Sequence, residues 1–249
     1  MRDCLIIIPT YNEKENIAKI IPYTLNLSDR FEILVIEDGS PDGTADIIKG
    51  LMRQFPQRIH MIERTGKLGL GTAYITGFKW ALQQNIYDYI FEMDADFSHT
   101  PEKLLELLDA CENKGAYLAV GSRYVKGGGV INWPFDRLFL SWFASKYVRF
   151  VTGMRIKDTT AGFVCFRKET LRKIDFDKIK FVGYAFQIEM KFAVWLAELK
   201  VIEVPIIFKD REVGTSKMSG GIIKEAVIGV LQMKWLSLKN KQNYLPEII

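Results

Sequence analysis

Cysteine and histidine are both scarce in this sequence of 249 residues, which contains three cysteines and two histidines. Cys4, Cys111 and Cys165 are odd in number and far apart, which excludes a complete disulfide framework and a CxxC metal site. Such cysteines are typical of a reducing compartment, so we expect a cytoplasmic protein. With only His60 and His99, a histidine-based metal centre or a Ser-His-Asp triad has few candidate residues.

The sequence also lacks a long hydrophobic run and a strong charge of one sign. No stretch contains the roughly 18 consecutive apolar residues that a membrane-spanning helix needs. Pro9 interrupts the apolar run at residues 1–9, which predicts a first strand rather than a signal peptide. The formal net charge of +4 is too small to indicate nucleic-acid binding by the whole chain. Hydrophobic residues make up 48%, which suffices for one large α/β domain or two small ones.

Two common nucleotide-binding motifs are absent. A dinucleotide fingerprint needs GxGxxG after the first strand, where this chain has the sequence PTYN at residues 9–12. A Walker A loop needs Gly-Lys-Ser/Thr, whereas Gly66 and Lys67 are followed by Leu68. Both sites are therefore excluded.

Short β-rich runs alternate with helical stretches along the first half of the chain. The strand-like runs are Leu5–Ile8, Glu32–Ile36, His60–Ile62, Tyr89–Met93 and Leu118–Val120, with helical patterns near residues 13–27, 44–54, 70–84 and 101–113. This alternation predicts an α/β fold with a mainly parallel, twisted sheet and helices on both faces. In such sheets, ligands bind beyond the carboxyl ends of the strands.

The residues that follow three of these strands are polar or acidic, at positions 9–13, 37–44 and 94–96. Asp94 and Asp96, at i and i+2, can both reach one hard divalent cation, which would in turn bridge a diphosphate. For an isolated DxD motif, a solvated turn is the alternative. Asp38 is placed to accept hydrogen bonds from a nucleobase or ribose, although residues 39–43 alone would indicate a turn and a helix N-cap.

The second half begins with Gly127–Gly129, which predicts a flexible hinge. Residues 126–155 then combine many aromatic residues with five basic residues and one acidic residue. The spacing predicts an interfacial helix over residues 133–151. We expect about half of Phe139, Trp142, Phe143 and Phe150 to pack on the sheet. A second long helix is expected near 219–239.

Several motifs in order along the chain resemble a known family. They are IPTYNE at 8–13, EDGSPDGT at 37–44, GLGTA at 69–73, MDAD at 93–96, GSRY at 121–124, NWP at 132–134, DTTAGF at 158–163 and REVGTSK at 211–217. The set resembles the inverting glycosyltransferases of family 2, and the later motifs resemble its dolichol-phosphate mannosyltransferase and polyprenyl-phosphate members. The resemblance runs from about residue 4 to 240.

The resemblance implies a GT-A type fold in one catalytic domain, residues 1–249. Residues 1–124 would bind the nucleotide sugar, and residues 125–249 would bind the acceptor and face the membrane. The implied reaction transfers mannose from GDP-mannose to a polyprenyl monophosphate with Mg²⁺ or Mn²⁺ as cofactor. Asp94, Asp96 and Arg123 would be catalytic.

The resemblance also implies the other site residues. The implied donor-binding residues are Pro9, Tyr11, Glu13, Asp38, Lys67, Asp94, Ala95, Asp96, Gln187, Arg211 and Lys217. The implied acceptor-phosphate residues are Arg123, Arg137 and Ser141. The implied metal ligands are Asp94, Asp96 and Ser98, where Ser98 stands at a position that is Gln in some relatives and would act through water. The alternative for Arg123 is a salt bridge at a strand end, and that for Arg211 and Lys217 is a solvated turn. The resemblance also implies that Gln187 and Glu189 contact the sugar, with a plain helix surface as the alternative.

Two other functions remain open from the sequence. One is a UDP-sugar-dependent transferase for glucose or an aminosugar, because a DxD site does not select the base. The other is a non-catalytic membrane-surface subunit with the same fold. Because a polyprenyl phosphate keeps its tail in the bilayer, we expect peripheral binding to the cytoplasmic face of a membrane.

Overall fold

The structure is a computed structural model that describes residues 2–183, 185–210, 220–239 and 244–245, with only the backbone at 220–226 and 239. The predicted donor-binding residues Arg211 and Lys217 lie outside the described residues.

Strands and helices alternate through most of the chain. The strands are β1 Cys4–Thr10, β2 Phe31–Glu37, β3 Ile59–Glu63, β4 Tyr89–Glu92, β5 Leu118–Ser122, β6 Gly129–Ile131, β7 Val164–Arg167, β8 Val201–Pro205 and β9 Ile207–Lys209. The helices are α1 Lys14–Leu27, α2 Thr44–Gln54, α3 Leu70–Gln84, α4 Lys103–Glu112, α5 Phe135–Thr152, α6 Lys168–Arg172, α7 Ala185–Leu196 and α8 Gly220–Lys239. The five strands predicted in the first half are confirmed, as are its four helices.

The main sheet has seven strands in the order β3-β2-β1-β4-β7-β5-β8. Neighbouring strands are parallel, except that β7 runs antiparallel between β4 and β5. The prediction of a mainly parallel sheet is therefore confirmed. The carboxyl ends of β1, β2 and β4 share one edge, because these strands are parallel neighbours. Strands β6 and β9 form a separate parallel pair.

The two faces of the sheet are both covered, which explains why β1 and β2 are apolar almost throughout. Leu5 and Ile7 belong to the cluster that includes residues of α3 and α7. Ile6 and Ile8, which point to the opposite face, belong to the cluster with the α1 residue Ile17. The fixed alternation of the strand thus determines which helices pack on which face.

Gly127–Gly129, the predicted hinge, lead into β6, and their flexibility stays a prediction. Gly129 begins β6, and the backbone N–H of Gly128 donates to the carbonyl of Val125 at 2.9 Å. A Cβ atom on Gly128 would lie 2.4 Å from the carbonyl oxygen of Ser122, so no larger residue fits. These glycines form a tight turn because the chain must pass directly against the end of β5.

Helices α5 and α8 lie side by side, since Tyr147 donates to the carbonyl of Val227 and Lys234 to that of Thr152. Both helices expose large apolar side chains, namely Phe135, Phe139, Trp142, Phe143, Phe150, Val227, Ile228, Leu231, Trp235 and Leu238. The expectation that half of the α5 aromatics pack on the sheet is therefore wrong, because Phe139, Trp142, Phe143 and Phe150 are all exposed, and Phe143 also lines the cleft described below. Within the part of the chain that is described, no helix has the length and hydropathy needed to cross a bilayer.

Candidate active site

The acidic motif follows β4 and is held in a tight turn. The backbone N–H of Asp94 donates to Nδ1 of His99 at 3.2 Å, and the N–H of Ser98 donates to Oδ1 of Asp96 at 3.0 Å. Phe97 between them has a positive φ of 58°. Ala95 is buried, whereas the side chain of Asp94 is 40% exposed. The turn therefore anchors the motif while its first carboxylate reaches solvent.

The buried ring of His99 packs against this turn and accepts one of its backbone hydrogen bonds. Its ring is buried and stacks on Phe163 at 4.8 Å between centroids. Burial lowers the pKa of His99 to about 4, so the ring is neutral at pH 7 and its Nδ1 can accept the Asp94 hydrogen bond. A lone histidine after a strand gave only a weak signal of this role in the sequence.

The donor atoms at the motif fit a divalent cation. Asp94 and Asp96 supply carboxylate oxygens, and the buried hydroxyl oxygen of Ser98 has no hydrogen-bond partner among the described residues. Mg²⁺ is commonly held by one or two carboxylates together with water and substrate phosphates. Within the described ranges, no group of three or more His, Cys, Asp or Glu side chains forms a metal site. Two carboxylates would leave coordination positions for a diphosphate.

Asp38, at the end of β2, is buried in an ion pair with Arg64. Its two carboxylate oxygens accept from Nε and Nη2 of Arg64 at 2.6 and 2.7 Å, and Nη1 of Arg64 donates to Thr72 at 2.8 Å. Arg64 therefore joins β2 to the start of α3. The role of Asp38 toward a base or ribose stays a prediction, and no sequence pattern indicates that Arg64 is its partner.

The other predicted donor-binding residues lie after β1 and before α3. Lys67 places its ammonium group 5.5 Å from the ring centre of Tyr11. The backbone N–H of Glu13 donates to the Thr44 hydroxyl at 3.1 Å, which ties the end of β1 to the start of α2. Pro9 is the penultimate residue of β1. Their contacts with a nucleotide stay predictions.

Arg123, just beyond β5, is fixed by Asp158. Its Nε and Nη2 donate to the two carboxylate oxygens at 2.7 and 2.6 Å, and Nη2 also donates to Thr160 at 2.8 Å. Burial raises the pKa of Asp158, but the neighbouring Arg123 outweighs this effect and holds the pKa below its ordinary value. The salt bridge predicted from the sequence as the alternative role of Arg123 is therefore present. Arg123 also lines the cleft, so its role toward the acceptor phosphate stays a prediction.

Arg137, on the first turn of α5, lies on the same cleft. Its Nη1 donates to both carboxylate oxygens of Asp210 at 2.9 Å, and its guanidinium lies 4.1 Å from the ring centre of Trp133. Two buried donors here, Nε of Arg137 and Nε1 of Trp133, have no hydrogen-bond partner among the described residues. Buried donors are costly when unpaired, and the assignment of Arg137 to an acceptor phosphate stays a prediction.

These groups share one cleft of about 460 Å³. Asp94, His99, Arg123, Arg137, Ser141 and Gln187 contribute its polar lining, and Ser141 accepts a hydrogen bond from Tyr124 at 2.7 Å. The remaining wall is mostly apolar and comes from several elements that include α5 and α8, with Leu140, Phe143, Ala144, Tyr147, Val148, Ile188, Ile206, Phe208, Val227 and Val230. The cleft therefore joins a charged end at Asp94 and Arg123 to an apolar channel between two helices.

Gln187 and Glu189 are buried rather than placed on a helix surface. Nε2 of Gln187 donates to Glu92, and Lys191 donates to the carbonyl groups of Ala161 and Gln187 at 2.5 and 3.1 Å. Glu189 accepts from the backbone N–H groups of Lys180 and Phe181 at 2.9 Å. Gln187 lines the cleft, so its contact with a sugar stays a prediction, whereas Glu189 holds the segment before α7.

Sequence reasoning missed the partners of the predicted residues. Asp158 was noted only as part of a motif, and Arg64 and Asp210 were not singled out. Each forms an ion pair with a predicted residue at least 26 positions away. No periodicity or local spacing reveals such pairs.

Comparison with known proteins identifies the family. The model of glycosyl transferase family 2 matches residues 5–175. The polyprenol monophosphomannose synthase of Mycolicibacterium smegmatis is 48% identical over 228 residues, which cover 92% of this chain and 85% of that protein. The undecaprenyl-phosphate mannosyltransferase of Micrococcus luteus is 44% identical over 239 residues, with coverage of 94% and 97%. The dolichol-phosphate mannosyltransferase of Pyrococcus furiosus is 38% identical over 235 residues, with coverage of 92% and 63%.

Solved structures show the same fold. Glucosyl-3-phosphoglycerate synthase from Mycobacterium tuberculosis, solved with Mn²⁺, UDP and glucosyl-3-phosphoglycerate, superposes with a TM-score of 0.66 at 16% identity over 94% of this chain and 80% of that one. The mannosyltransferase PcManGT from Pyrobaculum calidifontis, solved with GDP-Man and Mn²⁺, superposes with a TM-score of 0.56 at 14% identity. The superposition covers 95% of this chain and 74% of that one. The expected GT-A type fold is thereby confirmed. With this fold and the match over residues 5–175, the chain belongs to glycosyl transferase family 2 and is a glycosyltransferase.

Proposed function

We propose that the protein transfers mannose from GDP-mannose to a polyprenyl monophosphate, with inversion at the anomeric carbon. The names of three relatives at 38–48% identity support mannose and a polyprenyl phosphate as substrates. Residues 1–124 would bind the donor, and residues 125–249 would bind the acceptor.

The shape and charge of the cleft carry this proposal. A polyprenyl phosphate has an anionic head and a long apolar tail, and the cleft has cationic groups at one end and an apolar channel along α5 and α8. The cationic end adjoins Asp94, so the head would lie next to the donor. A soluble acceptor would need no such channel.

The donor side of the site would hold the nucleotide diphosphate. Asp94 and Asp96 would bind Mg²⁺ or Mn²⁺, with Ser98 contributing through water. Such a cation supplies Lewis-acid stabilisation of the charge that develops on the departing diphosphate. Asp38, with Pro9, Tyr11, Glu13 and Lys67, would frame the nucleoside, and Arg211 and Lys217 would contact the diphosphate.

The acceptor side would position the phosphate for attack. One phosphate oxygen attacks the anomeric carbon as the bond to the diphosphate oxygen breaks, and the acceptor is already anionic. The chain therefore has to orient it rather than remove a proton. Asp158 and Thr160 occupy Nε and Nη2 of Arg123, which leaves its Nη1 to donate to a phosphate, whereas Asp210 occupies only Nη1 of Arg137. A guanidinium can bind its carboxylate partner and a phosphate at the same time, which an ammonium group cannot do with the same geometry. Ser141 lies on the same wall of the cleft.

The same arrangement favours peripheral binding to the cytoplasmic face of a membrane. Phe135, Phe139, Phe143 and Phe150 lie on one side of α5, and Phe135 and Phe150 are 80% and 89% exposed. Aromatic side chains of this kind insert at the headgroup layer, and a tail leaving the cleft would enter the bilayer there.

A donor panel tests the proposal directly. Thermal shift is measured with GDP, GDP-mannose, UDP and UDP-glucose, each with and without Mn²⁺, and transfer to a short polyprenyl phosphate is then assayed. We expect a Mn²⁺-dependent shift for the two guanine nucleotides and formation of mannosyl polyprenyl phosphate. A shift with the uracil nucleotides alone would contradict the proposed donor, and donor binding without transfer would contradict the proposed acceptor.

A further inference from the structure

A second, smaller pocket lies on the other side of α5 from the cleft. It has a volume of about 230 Å³ and is lined by Tyr124, Trp142, Ser145, Lys146, Arg149 and Lys157. None of these residues lines the first cleft. Tyr124 contributes to the wall between the two, because its hydroxyl donates to Ser141 on the cleft.

The pocket is cationic. Three of its six described lining residues are Lys or Arg, and none is acidic. The acids that hydrogen-bond the segment around Lys157 are engaged elsewhere: Glu203 accepts the backbone N–H groups of Lys157 and Asp158, and Asp158 is paired with Arg123. Among the described residues, no ion pair joins Lys146, Arg149 or Lys157 to an acidic side chain, and the carboxylate of Glu203, which lies beside Lys157, is bound to the backbone.

One of the cations has an unmet hydrogen-bonding group. Nε of Arg149 is buried and has no hydrogen-bond partner among the described residues. A buried guanidinium donor that finds neither protein nor solvent is costly, which indicates that a ligand can complete it. Ser145, which is also buried and accepts from Thr159 at 3.4 Å, adds a hydroxyl to the same pocket.

We propose that this pocket, formed by Lys146, Arg149 and Lys157, binds a phosphate group at a site separate from the acceptor site. A guanidinium with two ammonium groups matches the charge and the several acceptor oxygens of phosphate. The neighbouring Trp142 and Phe150 are exposed on the face proposed to bind the membrane. The phosphate group would come from the headgroup of an anionic lipid or from free phosphate, and these sources can be separated by experiment.

The test compares two pocket variants and two control variants of the full chain. Arg149→Lys keeps the charge and removes the planar fork, so it distinguishes a built site from general attraction. Lys146→Gln/Lys157→Gln removes two charges at exposed positions of the pocket. Lys126→Gln/Arg155→Gln also removes two positive charges, but from exposed positions outside the pocket, and it serves as the matched control.

Two arms identify the source of the phosphate group. The first measures sedimentation with phosphatidylcholine vesicles, with and without phosphatidylglycerol. The second titrates inorganic phosphate without vesicles and follows its ³¹P signal. In at least one of the two arms, we expect both pocket variants to bind about tenfold more weakly than the wild type, which corresponds to the loss of one hydrogen bond to a charged group. The Lys126→Gln/Arg155→Gln control should keep wild-type affinity.

A loss confined to phosphatidylglycerol vesicles supports a lipid headgroup, and a loss in the inorganic phosphate arm supports free phosphate. The proposal is overturned if Arg149→Lys binds like wild type in both arms, or if the control loses as much as the pocket variants. The control Phe139→Ser/Phe150→Ser removes exposed aromatic side chains and leaves the pocket residues unchanged. It therefore distinguishes an error in the proposed membrane-binding face from an error in the proposed phosphate site.

Discussion

Arg123 and Asp158 form a two-pronged ion pair in which both side chains are almost fully buried. Nε and Nη2 of the arginine donate to the two oxygens of the aspartate, whose Oδ2 also accepts the backbone N–H of Arg123. The two residues are 35 positions apart in sequence, and Arg123 lines the cleft. Asp158 therefore acts as a positioning residue for the guanidinium.

Replacing Asp158 by Asn should weaken both stability and acceptor binding. The charged Arg123 would stay buried without a counter-charge, which we expect to lower the free energy of unfolding by about 3 kcal/mol. The KM for the lipid acceptor should rise while GDP-mannose binding is retained. Urea unfolding and steady-state kinetics measure both effects. Asp109→Asn, which breaks an exposed pair with Lys114, is the control and should change neither. Unchanged acceptor KM in Asp158→Asn would contradict the positioning role.

Replacing Arg123 by Lys should impair transfer although the charge is kept. An ammonium group cannot bind Asp158 and a phosphate through a planar fork, so the expected loss is at least about tenfold in kcat/KM for the acceptor. Binding of GDP-mannose, measured by calorimetry, should stay at the wild-type level. If donor binding falls and acceptor affinity is unchanged, Arg123 belongs to the donor site instead.

Replacing Asp96 by Ala should abolish transfer and Mn²⁺-dependent nucleotide binding without unfolding the protein. The residue lies in a partly exposed turn after β4, so little core packing is lost. Loss of a metal ligand should lower the rate at least about a hundredfold. Retention of more than about a tenth of the activity, roughly 1.4 kcal/mol of barrier, would contradict the metal assignment. The circular dichroism spectrum checks that the fold is intact.

Replacing Phe139 and Phe150 by Ser should release the protein from membranes. Both side chains are exposed on the same side of α5 and neither lines the cleft, so the catalytic site should be unaffected. Removing two inserted aromatic side chains should weaken the free energy of membrane binding by about 3 kcal/mol, which lowers the membrane partition coefficient more than a hundredfold. Flotation with anionic liposomes measures this, and Ile86→Ser/Leu105→Ser is the control at similarly exposed apolar positions. If the Phe variant floats like the control, the binding face lies elsewhere, with α8 as the next candidate.

Glu189 should make the protein less stable as the pH rises. Burial raises its pKa from 4.5 to about 7, although the N–H groups of Phe181 and Lys180 oppose the shift. Because the folded state holds this proton more tightly, the stabilisation is complete below pH 4.5 and is lost as the pH rises through about 7. Glu189→Gln should flatten this part of the Tm profile between about pH 5 and about pH 8. Glu15→Gln, at an exposed position, should keep the wild-type profile. A Glu189→Gln profile as steep as the wild type would contradict this account.

The sequence by itself determined the strands and the acidic turn. Apolar runs such as Leu5–Ile8 and Glu32–Ile36 form strands because a sheet covered on both faces needs continuous apolar residues. The position of Asp94 and Asp96 followed from the same pattern, since parallel strands end at one edge. These features depend on local spacing, which a sequence displays directly.

Only the tertiary structure decided the partners and the exposed surfaces. Strand β7 enters the sheet antiparallel between β4 and β5, which brings Asp158 to Arg123 and His99 onto Phe163. The exposure of Phe139 and Phe150 depended on which side of α5 faces the cleft, because the aromatic residues alone fit either a core or a membrane. Contacts between distant segments depend on packing, which local periodicity does not encode.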